Sequence, residues 1–353
     1  MKKFIRSALL SIGLLSISTL SFAAADLFGP RLEAETFASL PVGAGNPEAL
    51  AVDDQGNVYV STFSGGNVFI FDNTGFLTTT LDVTPTSGVL LELAFHPVTG
   101  ALLVVDFGLA SILEVDTVTG AATIYASIPV LPGNGQAVPN GLTFDATGNL
   151  YITDSFQSTV WKVGPEGGVA EPWITDPLLG TTSPIPFAAN GLAFNNDFSS
   201  MFVSNSGSGS IINIPVNADG TAGVASTFLV ALNGPDGMIM DQDNNIWVAN
   251  NPSNEIMVID PTGKATQLLG EFHGLDAQGR VKGLLSPADL NFHGDYLYVT
   301  NFAADPRELG INQMPFTLWS VQVQQHTIAR FNLNPPKLKK KKLKKKKKWK
   351  KGL

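Results

Sequence analysis

Four oxygen-bearing residues offer this chain its clearest chemistry: Glu48, Asn140, Asn190 and Asp236. Each opens a short apolar run, as in Glu48-Ala49-Leu50-Ala51-Val52, Asn140-Gly141-Leu142-Thr143-Phe144, Asn190-Gly191-Leu192-Ala193-Phe194 and Asp236-Gly237-Met238-Ile239-Met240. Two carboxylates and two amide carbonyls make a hard, all-oxygen donor set with room for waters or substrate. Ca²⁺ suits such a set best because it tolerates irregular, high coordination; Mg²⁺ and Mn²⁺ are alternatives, and Zn²⁺ is disfavoured without His or Cys ligands. Asn-Gly and Asp-Gly pairs are also plain turn formers. Four ligand-type residues in one register weigh against that blander reading.

The elements that must position these residues form a repeat. Two further copies start at Leu91 and Ala288, so the first positions are separated by 43, 49, 50, 46 and 52 residues. Repetition at this period marks a propeller or solenoid. Each copy continues into an Asp/Asn/Gly turn such as Asp53-Asp54-Gln55-Gly56-Asn57, whose Gly and Asn tolerate positive φ. A second strand (Val58-Tyr59-Val60, Leu150-Tyr151-Ile152), a polar loop, a third strand and a less regular fourth follow. Four strands in each of six units predict an all-β, six-bladed β-propeller, in which the innermost strands surround a central channel. Blades 1, 3, 4 and 5 then bring Glu48, Asn140, Asn190 and Asp236 around one axis. The last copy lacks a fourth strand before Pro335-Pro336, and a spare strand stands at Leu32–Phe37. Pairing of the two is expected to close the ring and protect both edges.

The motifs Pro47-Glu48, Pro139-Asn140-Gly141-Leu142, Asn190-Gly191-Leu192-Ala193-Phe194 and Pro235-Asp236-Gly237-Met238 resemble those of the gluconolactonase, regucalcin and luciferin-regenerating-enzyme family. The resemblance runs from about Glu33 to Phe331. It implies a divalent cation held in the channel by Glu48, Asn140, Asn190 and Asp236, with Asp236 also serving as base or nucleophile in hydrolysis, most simply lactone opening. Organophosphate esters are handled by the same site in relatives. The first motif departs from the family: Ala49 follows Glu48, where a Gly-Pro pair is common. No charged guide for a sugar acid is evident. A non-catalytic propeller of the NHL-repeat type, binding a protein or glycan on its broad face, is the reading from another class.

Specificity is expected from loops at the channel mouth, with Asp154, Phe156, Asn205, Asn250 and Asn301 as candidate substrate contacts. The insertion from Asn301 to His326 is long enough to be a lid or a packed cap. His273 and His326 fall in loops that reach towards the mouth, whereas His96 and His293 lie at the opposite turns and read as surface residues.

Lys2, Lys3 and Arg6 precede an apolar run from Ala8 to Phe22 and then Ala23-Ala24-Ala25, the pattern of a cleaved secretory peptide over residues 1–25. Export to the periplasm or medium is therefore expected, for a chain with no Cys and hence no disulfide. The propeller is assigned to residues 26–335 and a Lys-rich, disordered tail to 336–353. Leader and tail hold fifteen of the 22 basic residues, so the body sets seven against 30 acids, a formal −23. Such a body repels nucleic acid and concentrates cations, while the tail suits anionic surfaces. A small-molecule lactone or ester is the expected partner.

Overall fold

A computed structural model describes residues 31–183, 186–303 and 323–334. Within them the chain forms six antiparallel blades, each with four strands running outward from the axis, a separate two-stranded hairpin of Phe272–Leu275 and Val281–Gly283, and no α-helix. Blade 1 is Pro47–Val52, Val58–Thr62, Asn67–Phe71 and Leu77–Asp82. The other innermost strands are Leu90–Phe95, Pro139–Phe144, Ala189–Phe194, Pro235–Met240 and Pro287–His293. Blade 2 gains a fifth strand, Gly168–Val169, which pairs parallel with Ala122–Ser127.

These sequences form blades because the second and third strands are apolar on both faces, while the outermost strands alternate towards solvent. Val58 and Val60 pack towards blade 6, and Tyr59 between them packs towards blade 2. In blade 5, Ile246 and Val248 face blade 4, while Trp247 meets Phe292 of blade 6 edge-on at 5.3 Å. The core is thus six wedges, one per blade interface. At the end away from the site, Asp53, Asp145 and Asp241 each accept backbone N–H groups of their own turn and the side chain of Asn57, Asn149 or Asn245.

Closure joins the two ends of the chain. Glu35–Ser39 pairs antiparallel with Thr327–Asn332, from Glu35 opposite Arg330 to Ser39 opposite Thr327. The strand starts three residues later than the sequence reading places it, because Leu32 bridges Leu269 on the outer strand of blade 5. The expected lid lies mostly in residues 304–322, and the leader and the whole tail in 1–30 and 335–353, outside the described residues.

Every innermost strand carries a register shift near its start, for instance between Pro47 and Leu50, Pro139 and Leu142, and Pro235 and Met238. A shift there breaks the alternation of side chains, so two successive residues can turn towards the axis. Adjacent blades also approach closely at the second of these residues. A Cβ on Gly191 would sit 2.7 Å from the Asp236 carbonyl oxygen, and one on Gly237 would sit 2.5 Å from Asp289 Oδ1. Only glycine leaves that space free.

Candidate metal centre in the channel

Glu48, Asn140, Asn190 and Asp236 occupy the same place, the second residue of the innermost strand, in blades 1, 3, 4 and 5. Hydroxyls from the second strands fix three of their backbones. Thr300 Oγ1 donates to the Glu48 carbonyl (2.8 Å), Thr153 Oγ1 to that of Asn190 (2.5 Å) and Ser204 Oγ to that of Asp236 (2.7 Å). Each bond crosses to the next blade, so the positions of neighbouring site residues are coupled.

The side chains are anchored by residues that sequence reasoning did not single out. Asn140 Nδ2 donates to Ser155 Oγ at 3.0 Å, and that hydroxyl donates to the Ala189 carbonyl at 2.7 Å. One blade on, Asn190 Nδ2 donates to Ser206 Oγ at 3.0 Å, which donates to the Pro235 carbonyl at 2.7 Å. In blade 5, Asn251 Nδ2 donates to Asp236 Oδ2 at 3.1 Å. Ser155, Ser206 and Asn251 all directly follow the second strand of their blade. With both amide nitrogens tied to serines, the carbonyl oxygens of Asn140 and Asn190 are the atoms left to serve a ligand.

Two more carboxylates enter from blades 2 and 6. Glu92 and Asp289 stand one residue later than the quartet, where blades 3, 4 and 5 have glycine. Asp289 Oδ2 accepts from Leu50 N at 3.0 Å, linking blade 6 to blade 1. Burial holds all four acids above their usual range. For Glu48 it is reinforced by Asp236 and Asp289, and for Glu92 by Asp289, Glu48 and Asp236. Asp236 is pushed up to about 7 by burial, against the opposing bond from Asn251, and Asp289 likewise to about 7. No ion pair reaches any of the four among the described residues.

The donor set fits a hard divalent cation: carboxylate and amide oxygens, amides oriented by second partners, and buried negative charge without a protein counter-ion. Among the described residues, the one group of three acid or imidazole ligand atoms within 4.8 Å of one another lies elsewhere, at exposed Glu33, Glu271 and His273. The four channel acids come from four separate blades, and a cation among them would draw on the amide oxygens as well.

The candidate substrate contacts divide. Asp154 Oδ1 accepts from Val138 N, Phe156 N and Gln157 N, and its Oδ2 accepts from Gln157 Nε2 and Trp161 Nε1. Asn205 donates to the Leu178 and Gly180 carbonyls and accepts from Ser208 N; Asn301 accepts from Leu285 N and donates to the Gly283 carbonyl and Thr327 Oγ1. These three are buried struts that tie the inter-blade connection to its hairpin, which leaves them no free polar atom for a substrate. Asn250 holds the same strand-end place, with its Oδ1 buried and unpartnered. Phe156 is 42% exposed, lies 5.9 Å from the Phe187 ring, and lines a groove of about 670 Å³ with Gln136, Ser155 and Thr181.

The histidines also differ from expectation. His96 is 1% exposed, because the turn folds over it and both Val98 N and Thr99 N donate to its Nδ1. His293 is half-buried. His273 is held on the outside by Glu33, 3.1 Å away. His326 is lowered to about 4 by burial, and its Nδ1 lacks a partner.

Residues 186–269, which contain Asn190 and Asp236, match the SMP-30/Gluconolactonase/LRE-like region. The chain resembles that family in fold and motif. Residues 30–70 match the N-terminal part of strictosidine synthase-like proteins. A search of curated protein sequences finds no match. Among solved structures, a luciferin-regenerating enzyme superposes with a TM-score of 0.60 at 18% identity, over 82% of this chain and 92% of that one. A gluconolactonase from Xanthomonas campestris gives 0.59 at 17%, over 86% and 95%. Regucalcin, a calcium-binding protein from Agrobacterium tumefaciens, gives 0.58 at 17%, over 86% and 93%. Identities this low establish the six-bladed fold, and the family match over the fourth and fifth blades supports the resemblance carried by the motifs.

Proposed function

We propose that this protein is an exported, divalent-cation-dependent hydrolase that opens lactones, with Ca²⁺ as the resident ion. The observation that carries the reading is the anchored ring of oxygen donors, in which Ser155 and Ser206 orient Asn140 and Asn190 towards the same channel as Glu48 and Asp236. A non-catalytic scaffold has no need of amides turned inward by a second set of side chains. The names gluconolactonase and calcium-binding protein on chains of the same fold agree with it.

When bound, the cation supplies Lewis acidity to the ester carbonyl. Glu48, Asn140, Asn190 and Asp236 would hold it. Asp236 is the member suited to accept a proton: burial raises its carboxyl to about 7 in the metal-free channel, and a bound cation would lower it again and keep it ionised as a base. Asn251 holds Asp236 Oδ2, which fixes the carboxylate plane. The buried channel wall limits bulk water around these groups and strengthens their electrostatic effect.

The test is hydrolysis of a panel of lactones and aryl esters by the wild type and Asp236→Ala, each with Ca²⁺ and with chelator. Turnover that needs Ca²⁺ and falls at least about a hundredfold in the variant is expected, in line with loss of a positioned base. Undiminished turnover by Asp236→Ala would remove Asp236 from the mechanism, and no turnover of any substrate would favour a binding propeller.

A further inference from the structure

The channel mouth has two chemically different halves. In blades 3, 4 and 5 the residue that follows the second strand is Ser155, Ser206 or Asn251, and each bonds to the innermost-strand residue of its own blade. In blades 6, 1 and 2 that same place is taken by Phe302, Phe63 and Phe107. The innermost residues beside them are Ala288, Glu48 and Leu91, so at this level the arc has one polar group where the other has three, and Glu92 and Asp289 enter from the same blades one residue further along the strand. Phe63 and Phe302 meet edge-on at 5.5 Å across the closure between blades 6 and 1, and Asn46 Nδ2 holds the Phe302 carbonyl at 2.9 Å. Phe63 and Phe107 rest on the core between blades 2 and 3 and remain half-buried, leaving part of each ring uncovered.

Charge narrows what can lie there. Among the described cations, Arg31, Arg280 and Arg330 are engaged by Glu255, Asp276 and Glu35, Lys162 lies over the Tyr151 ring, and Lys264 and Lys282 are exposed. The channel itself presents four acids. An anionic substrate therefore meets repulsion from the channel acids, and a polyhydroxylated ring would leave hydroxyls unpaired against phenyl rings.

We propose that the Phe302–Phe63–Phe107 arc at the mouth is an apolar subsite that seats an alkyl or aryl substituent of a neutral lactone or ester, while the arc of Asn140, Asn190 and Asp236 takes its carbonyl end. The proposal rests on the hydrolase reading and names its substrate class. The two arcs share one ring of positions, so a substituent on the lactone ring falls against phenyl surface when the carbonyl faces Asn140, Asn190 and Asp236.

The experiment compares kcat/KM for γ-butyrolactone, its γ-hexyl derivative and D-glucono-δ-lactone. The wild type is expected to favour the hexyl lactone over both by at least about tenfold, the discrimination typical of an apolar pocket. Phe63→Ser, which installs the side chain used in blades 3 and 4, should cut the hexyl-to-unsubstituted ratio about tenfold, and Phe63→Leu should keep most of it. Phe107→Ser provides the same readout if Phe63→Ser lowers the melting temperature too far. Preference for gluconolactone, or an unchanged ratio in both well-folded serine variants, overturns the proposal and leaves the lactonase reading standing. If no lactone is opened, that reading falls. Calorimetric titration of γ-hexyl-γ-butyrolactam in Ca²⁺ then decides the subsite: binding weakened by Phe63→Ser supports it, and equal or absent binding overturns it.

Discussion

At the scale of single residues, the site depends on side chains that never reach the ligand position. Ser206 Oγ joins Asn190 to the Pro235 carbonyl, next to Asp236, and so sets two donors with one hydroxyl. Ser206→Ala frees the Asn190 amide to rotate and leaves Nδ2 without its partner. The expected result is Ca²⁺ affinity weakened about tenfold, the usual effect of losing an outer-shell orienting group, measured by calorimetric titration. Affinity equal to wild type would show that Asn190 is not a ligand or needs no orientation. The shared register of Glu48, Asn140, Asn190 and Asp236 was legible in the sequence, since the repeat sets all four at the same place of their blades. Glu92 and Asp289 were not legible, because in a regular strand the next residue points to the opposite face. The register shift near each strand start removes that alternation, and nothing in residue type announces it. The bonds of Asp154, Asn205 and Asn301 were hidden for a related reason: polar residues at strand ends near a mouth look like contacts, but the bonds they make to distant backbone are visible only once the blades are assembled.

At the scale of elements, closure is the step on which all six blades depend. Without Glu35–Ser39, blade 6 would expose the edge of Thr327–Asn332, and Phe37 would leave the wedge it shares with Tyr298, 4.9 Å away. The Glu35–Arg330 pair is partly exposed and adds little of its own. Deleting residues 30–40 should therefore abolish cooperative unfolding or lower the melting temperature by ten degrees or more, a rough expectation for losing an edge strand and its buried Phe37 and Leu40. A truncated protein that melts like the parent would show that the ring holds without this strand. The strand order was readable because a third strand followed by Pro335-Pro336 leaves a vacancy that only the spare N-terminal strand can fill. The starting residue was not, since Leu32 is equally apolar and is drawn instead to Leu269.

At the scale of the whole molecule, stability, pH and cation binding are linked through the channel. Asp236 and Asp289 move from 3.8 to about 7 on folding, and Glu48 and Glu92 are also raised, by burial first and mutual repulsion second. In the metal-free protein, the folded state keeps protons that the unfolded chain releases. Stability therefore falls as pH rises through the window from about 4 to about 7 and stays lower above it. The turn aspartates act on the other side: bonds within their turns hold Asp72, Asp116 and Asp260 below their usual value, so their contribution is lost only as pH falls below about 4. Burial lowers His326 to about 4, which adds stability as pH rises from about 4 to about 6.5 and partly masks the channel effect in a simple melt. A difference measurement removes it, because His326 is not among the channel donors. A divalent cation replaces the protons and cancels the repulsion, so it binds best where the channel acids are ionised. The gain in melting temperature from chelator to saturating Ca²⁺ should thus be several degrees larger near pH 8 than near pH 5, a rough magnitude for a chain of this size. A gain that is absent, or equal at the two pH values, would place the ion outside the ring of Glu48, Asn140, Asn190 and Asp236.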